Sequence, residues 1–296
     1  MFRLRGATRA ESCVSLSLYR LTQMRTQIQA LSGTPGRTVP DVDSNALQPS
    51  ASGSEFWSLL QEASASSAQI QRLMLRSPGE GLPSDASFND TLLHVSSVYS
   101  RLLSWPNSVP ERLKYKVLPL PLGPDSFNRT VCTTTSFYLF NSIQHAAMWI
   151  GFWVGCIHLA QSLLQGYRMF FRRSSASSNS AAFVSSEADV WERLLMTIGD
   201  ICASAPYLLG DVNERGQLNI GGKTKALGGF FLLRALVVAN SVEDLPIGIR
   251  RSLLDLLARI GTSVGIKNAL RYKEGWLASH QAKTRELSNQ IDSLCV

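Results

Sequence analysis

Charged side chains are scarce in this chain, at 17% of its residues, and the stretch from Phe137 to Leu159, FYLFNSIQHAAMWIGFWVGCIHL, carries none. With 45% hydrophobic residues beside them, this scarcity excludes disorder throughout, because such a composition supports a core. Cysteine is sparse and scattered, at Cys13, Cys132, Cys156, Cys202 and Cys295. An odd number without short C-x-x-C spacing argues against a disulfide framework and against a zinc site, and fits a reducing compartment. Two N-x-T triplets, at Asn89 and Asn128, carry little weight against that, since such triplets arise by chance. The N-terminus, MFRLRGATRAES, lacks the apolar core of a secretory signal, and Glu11 sits poorly in an acid-free organellar presequence. Alternation with a period of two is rare and no internal repeat stands out, so the expected fold class is all-α, an irregular multi-helix domain with long loops.

The net charge of +7 and pI near 9.3 point to nucleic acid only until the charges are placed. Arg3, Arg5, Arg9, Arg20, Arg25 and Arg37 face only Glu11 before Asp41. The remaining basic residues are dispersed. No single element gathers Lys and Arg able to reach bases, so a solvated basic face is the better reading, and direct DNA binding is not expected.

Along the chain, Val14, Leu18, Leu21, Met24, Ile28 and Leu31 recur at spacings of three and four, which marks one face of an amphipathic helix. Gly, Pro and Ser then break every period, so residues 32–54 read as a flexible linker and residues 1–54 as an N-terminal segment distinct from 55–296. A helix is expected from Glu55 to Arg76 with Ser54 as its N-cap, and another from Ser87 with Leu92, Val95, Tyr99 and Leu102 on one stripe. Prolines between Trp105 and Thr135 argue against long regular structure there, apart from an extended piece around Tyr115–Leu120. Helices follow at 137–171, 190–205, 227–241, 247–262 and 267–287, with a serine-rich loop at 172–187. Pro206 is expected to stop the helix that enters from Val190.

The uncharged segment 137–159 is long enough to cross a bilayer, and Arg168, Arg172 and Arg173 follow it. A single-span membrane protein is therefore the alternative. Asn141, Gln144, His145, His158 and Gln161 favour a buried helix of a folded domain instead, with an inward stripe through Ile143, Ala147, Ile150, Val154 and Ile157. ALGGFFLLRALVVAN, residues 226–240, is apolar nearly all round and too short to span, which predicts a core helix whose Gly228-Gly229 allows close packing. Its Arg234 needs a partner or an exit to solvent.

No catalytic constellation emerges, and the chain is not expected to be an enzyme. GQLNIGGKT, residues 216–224, fails as a phosphate loop, because five residues rather than four separate Gly216 from the Gly-Lys pair. His145 and His158 lie roughly 20 Å apart on a helix, and His94 and His280 add no metal spacing. No G-x-S-x-G elbow is present. Asp200 beside Cys202 raises the idea of an activated thiol, but a cysteine in an apolar helix is more often inert packing. Neither metal nor cofactor is expected.

Five stretches in order carry a resemblance: WPNSVPERLKY (105–115), HAAMWIGFWVGCIHL (145–159), DICASAPYLLG (200–210), GGFFLLRALVVANSV (228–242) and ARIGTSVGIKNAL (258–270). Together they resemble the C-terminal regulatory region of fungal binuclear zinc-cluster transcription factors, over roughly Asn89 to Trp276. The six-cysteine DNA-binding cluster of that family is absent, and Phe152-Trp153-Val154 stands where arginines usually follow the helix tryptophan. The resemblance implies a nuclear transcriptional regulator of a secondary-metabolite or nutrient pathway. It also implies partners in the transcription machinery or a separate DNA-binding subunit, with homodimerisation a further expectation. Residues 200–210 would then be a packing element at a helix end, without catalytic work.

Overall fold

The computed structural model describes residues 51–75, 85–119, 135–173, 180–219 and 225–279. These residues are 80% helical, with one two-stranded sheet, so the all-α expectation holds. The expected helix at 14–31 and most of the linker lie outside the described residues. The described helices are α1 (Ala51–Leu75), α2 (Asp85–Ser108), α3 (Ile143–Arg173), α4 (Ser180–Leu209), α5 (Ala226–Asn240), α6 (Ile247–Arg259) and α7 (residues 267–279). The strands are β1 (Lys116–Pro119) and β2 (Ser136–Leu139), paired antiparallel with Lys116 opposite Leu139 and Pro119 opposite Ser136. Two compact units share α3 and α4 between them.

The first unit contains α1, α2, Gly151–Arg173 of α3 and the part of α4 up to Ile198. Phe56, Leu59, Leu60, Ala63 and Ile70 form the buried stripe of α1, and Phe88, Leu92, Val95, Tyr99 and Leu102 that of α2. Recurrence at three, four and seven residues turns them to the same side, which is why these segments are helices with an inner face. The helix α1 begins at Ala51, so Ser54 lies within it rather than capping it. Likewise α2 runs through Pro106 to Ser108, forgoing the one backbone bond that the proline's missing N–H would have donated. Two glycines of α3 seat leucines from its neighbours. A Cβ at Gly155 would stand 2.5 Å from Leu60 Cδ2, and one at Gly166 would stand 2.5 Å from Leu92 Cδ2. Trp105 links the unit's aromatic residues, its ring 4.4 Å from that of Phe56 and 5.1 Å from that of Phe152. An exposed fork from Arg101 to the Glu62 carboxylate, at 2.8 and 3.0 Å, ties α2 to α1 and adds little stability in water.

The uncharged segment is enclosed. Of the most apolar window in α3, 78% is buried inside the protein, and Trp153, Ile157, Leu159, Ala160 and Leu163 are 1% exposed or less. The helix passes the length and composition test for a membrane span, yet protein covers it. His145, His158 and Gln161 are half-buried and each has an interaction partner.

The segment does not start as a helix, however. Residues 136–139 form β2, with Phe137 and Leu139 buried and Ser136 and Tyr138 half-buried, an alternation masked in the sequence because an aromatic ring stands on each face. The helix begins four residues later behind Ser142, whose Oγ accepts the His145 N–H at 3.2 Å as an N-cap does.

The second unit holds the hairpin, Ile143–Ile150, Gly199–Leu209, and α5 to α7. Pro206 does not stop α4, which continues to Leu209. The bond forfeited is the one that the proline's missing N–H would have donated. The stop is Gly210, left-handed at φ 85°. Its N–H donates to the Tyr207 carbonyl at 3.3 Å and the Asp211 N–H to the Pro206 carbonyl at 2.9 Å, the paired pattern of a Schellman end. The next helix, α5, then approaches very closely: a Cβ at Gly228 would fall 1.9 Å from the Leu208 carbonyl oxygen. Arg250 of α6 closes the far end of α5 by donating to the carbonyls of Asn240 (3.0 Å) and Val242 (2.9 Å) while lying 4.8 Å over the Trp276 ring. After Arg259 the chain makes a π-helical turn, Ile260–Val264, ended by Gly265 at φ 81°.

Substituting Gly228→Ala sets a methyl against backbone that no rotamer change can move, and is expected to cost about 2–3 kcal/mol. By contrast, Gly199→Ala adds a methyl in open space within a helix and is expected to gain about 0.5–1 kcal/mol. Urea unfolding midpoints of the two variants and the parent check both signs.

Candidate functional site

One cluster of polar and aromatic side chains in the second unit forms where the hairpin meets the last turns of α4. The alternation of β2 sends Phe137 and Leu139 inward and leaves Tyr138 on the opposite face. There its hydroxyl donates to Asp200 Oδ1 at 2.6 Å. Tyr115, just ahead of β1, stacks on Tyr138 with ring centroids 4.1 Å apart and meets the edge of Trp149 at 4.8 Å. Asp200, Tyr138 and Tyr115 are each half-buried.

Burial dominates the electrostatics. It pushes the Asp200 carboxyl up to about 6, against the opposing effect of the Tyr138 hydrogen bond. It pushes Tyr115 up to about 12, with the nearby Asp200 charge adding to the rise. Tyr138 is raised by burial first and then by its bond to Asp200, so it remains a hydrogen-bond donor at any ordinary pH. Such an arrangement can hold or release one proton near pH 6. No group of three or more metal-ligating side chains gathers anywhere among the described residues.

Two further polar ties complete the unit. Arg259 donates Nη1 to Asp211 Oδ2 at 2.8 Å and Nη2 to Asp211 Oδ1, a bidentate fork between the end of α6 and the loop after α4. Lys225, one residue before α5, lies 4.2 Å over the Tyr207 ring, and burial lowers its pKa.

The residues singled out in the sequence scatter. Asp200 turns its carboxylate to the Tyr138 hydroxyl, and Cys202 is buried outside any disulfide, as is Cys156. His94 is exposed on α2, His145 and His158 sit on α3, and His280 lies outside the described residues, as do Cys13, Cys132 and Cys295. Gly216 takes a left-handed φ of 77°, while 220–224 of the loop resembling a phosphate site lie outside the described residues. Arg234 is half-buried and engaged. Sequence reading missed Tyr115, Tyr138 and the Asp211–Arg259 fork. Their partners are 62 and 48 residues apart along the chain, and no local period records such pairs.

No family model matches the chain, and no curated protein and no solved structure matches it either.

The raised Asp200 pKa means that the folded chain holds this proton more tightly than the unfolded one. Its contribution to stability is therefore fullest below about pH 4 and is lost as the pH climbs through about 6. Asp200→Asn keeps an acceptor for Tyr138 and abolishes the titration. The variant is expected to gain on the parent between pH 4 and 6.5 and to hold a constant margin above that. Chemical denaturation of both proteins across this range reads the difference.

Proposed function

We propose that the chain is a transcription-regulatory domain of the kind found C-terminally in fungal zinc-cluster factors, acting in the nucleus through protein partners and not through DNA contacts of its own. The observation that carries this reading is the ordered series of five family-like segments. Each falls on an element end or a helix core: the close of α2, the body of α3, the end of α4, most of α5, and the passage from α6 to α7. What these segments share is a packing role. Trp105, Trp153, Leu208, Leu236 and Ile260 are their buried anchors.

In this reading the domain supplies a stable helical scaffold. A DNA-binding partner, or a segment outside this chain, supplies the address on the genome. The dispersion of basic residues supports the division of labour, because a domain that located DNA itself would concentrate them.

Fused to a heterologous DNA-binding domain, the full chain is expected to change transcription from a cognate reporter several-fold, and a fluorescent fusion is expected to concentrate in nuclei. Gly228→Ala should weaken both by destabilising the fold. A folded, nuclear fusion with no effect on the reporter, together with unchanged transcripts in a deletion strain, overturns the proposal.

A further inference from the structure

We propose that Asp200 anchors a binding site for an organic cation bearing N–H donors, an alkylammonium or guanidinium group, supplied by a free amine or by a lysine or arginine side chain of a partner. The inference is independent of the function proposed above. It is built from side chains of the second unit alone and applies to a domain of any role.

Three other half-buried carboxylates each have an arginine. Glu62 receives Arg101 at 2.8 Å, Glu187 meets Arg168 at 3.7 Å, and Asp211 takes the fork from Arg259. Asp200 is half-buried as well, yet among the described residues no basic side chain pairs with it. Its hydrogen bond comes from the Tyr138 hydroxyl to Oδ1, at 2.6 Å. Oδ2 accepts none from a described residue, nor is it sealed from solvent. A phenol is neutral, so it offsets only part of the cost of drawing a carboxylate out of water, and the uncompensated part holds the Asp200 pKa at about 6. A cation with N–H donors set against Oδ2 removes that cost, because it brings charge and hydrogen bonds together.

The surroundings suit the rest of such a ligand. Tyr115 stacks on Tyr138 with ring centroids 4.1 Å apart. Val117, directly opposite Tyr138 in the hairpin, shares its face and is 60% exposed, whereas Lys116 alternates to the other face. Aromatic and aliphatic groups beside a carboxylate match a cation on an alkyl stem: the stem covers apolar surface while the head reaches the charge. A bare metal ion fits less well, because one carboxylate supplies too few oxygen ligands and no group of three metal-ligating side chains gathers among the described residues. An anion is turned away by Asp200 itself.

Calorimetric titration of the full chain with n-butylammonium, methylguanidinium and a short blocked peptide holding one lysine tests the site. All three probes stay protonated between pH 5 and 7.5, so any pH dependence belongs to the protein. Binding is expected to be about tenfold tighter at pH 7.5 than at pH 5, because Asp200 ionises across that interval. Asp200→Asn should lose the binding at pH 7.5, while Asp189→Asn, exposed on α4, leaves it unchanged. A second measurement needs no variant: the Asp200 carboxyl carbon, followed by NMR in the parent chain, should titrate at lower pH when n-butylammonium is saturating. Free amines that bind at least as tightly as the peptide assign the ligand to a small molecule, and binding stronger for the peptide assigns it to a partner's side chain. The proposal is overturned if no probe binds more tightly at the higher pH, if a folded Asp200→Asn binds as the parent does, or if the Asp200 titration does not move.

Discussion

A helix with no charged residue between Ile143 and Tyr167 cannot show a wetted face of ordinary composition, and its enclosure is the condition that the rest of the fold has to meet. Side chains such as Trp153, Ile157 and Leu163, each nearly inaccessible, contribute about 1.5–3 kcal/mol apiece relative to exposure. Covering them requires helices on more than one side. In the first unit α1 and α2 provide that cover, and the contact is set by Gly155 and Gly166. These lie eleven residues apart, close to three turns, so both point to one face of α3. Leu60 and Leu92 enter the two gaps left by the missing side chains. A larger residue at either point would lift a covering helix away from the apolar surface that it exists to shield.

In the second unit polar groups do a different kind of work. Tyr138 and Asp200, Arg259 and Asp211, and Arg250 and the carbonyls ending α5 each join elements remote in sequence. Pairs of this sort return little net stability once their desolvation is counted. What they do is penalise every alternative packing in which one member would be buried alone. The hairpin is thereby tied to α4, the loop after α4 to α6, and α6 to α5. An apolar core of leucines and alanines could slide by a turn at small cost, but a carboxylate beside a phenol could not.

Legibility in the sequence followed locality. The stripe Leu92, Val95, Tyr99 and Leu102 was readable because helical period alone decides it, and each of these is buried. The burial of the uncharged segment was readable from its scattered polar residues. The close approach at Gly228 was readable from the glycine pair. The strand at 136–139 was not, because aromatic residues on both of its faces erase the alternation that identifies a strand. Pro206 misled for the opposite reason: its local preference is strong, yet α4 forgoes the bond that its missing N–H would have made and runs on to Leu209. Nothing in the sequence could place Tyr138 beside Asp200, since only tertiary packing brings the hairpin to α4.

The run DICASAPYLLG gains its meaning from what packs against it. Taken alone, α5 is a poor helix, with two glycines in its first turn, each costing about 1 kcal/mol against alanine, and no side-chain N-cap. An element with that handicap forms only where tertiary contacts hold it. The end of α4 provides them. Gly210 turns the chain away after Leu209, leaving the Leu209 carbonyl to accept the Lys225 N–H at 3.3 Å and the Leu208 carbonyl to face Gly228. Tyr207 meanwhile receives Lys225 over its ring. The glycines that weaken α5 locally are the same ones that let it approach this surface. Neither segment is therefore explicable by itself: the small residues and the Schellman end of α4 build a seat, and the glycine pair of α5 is shaped to occupy it.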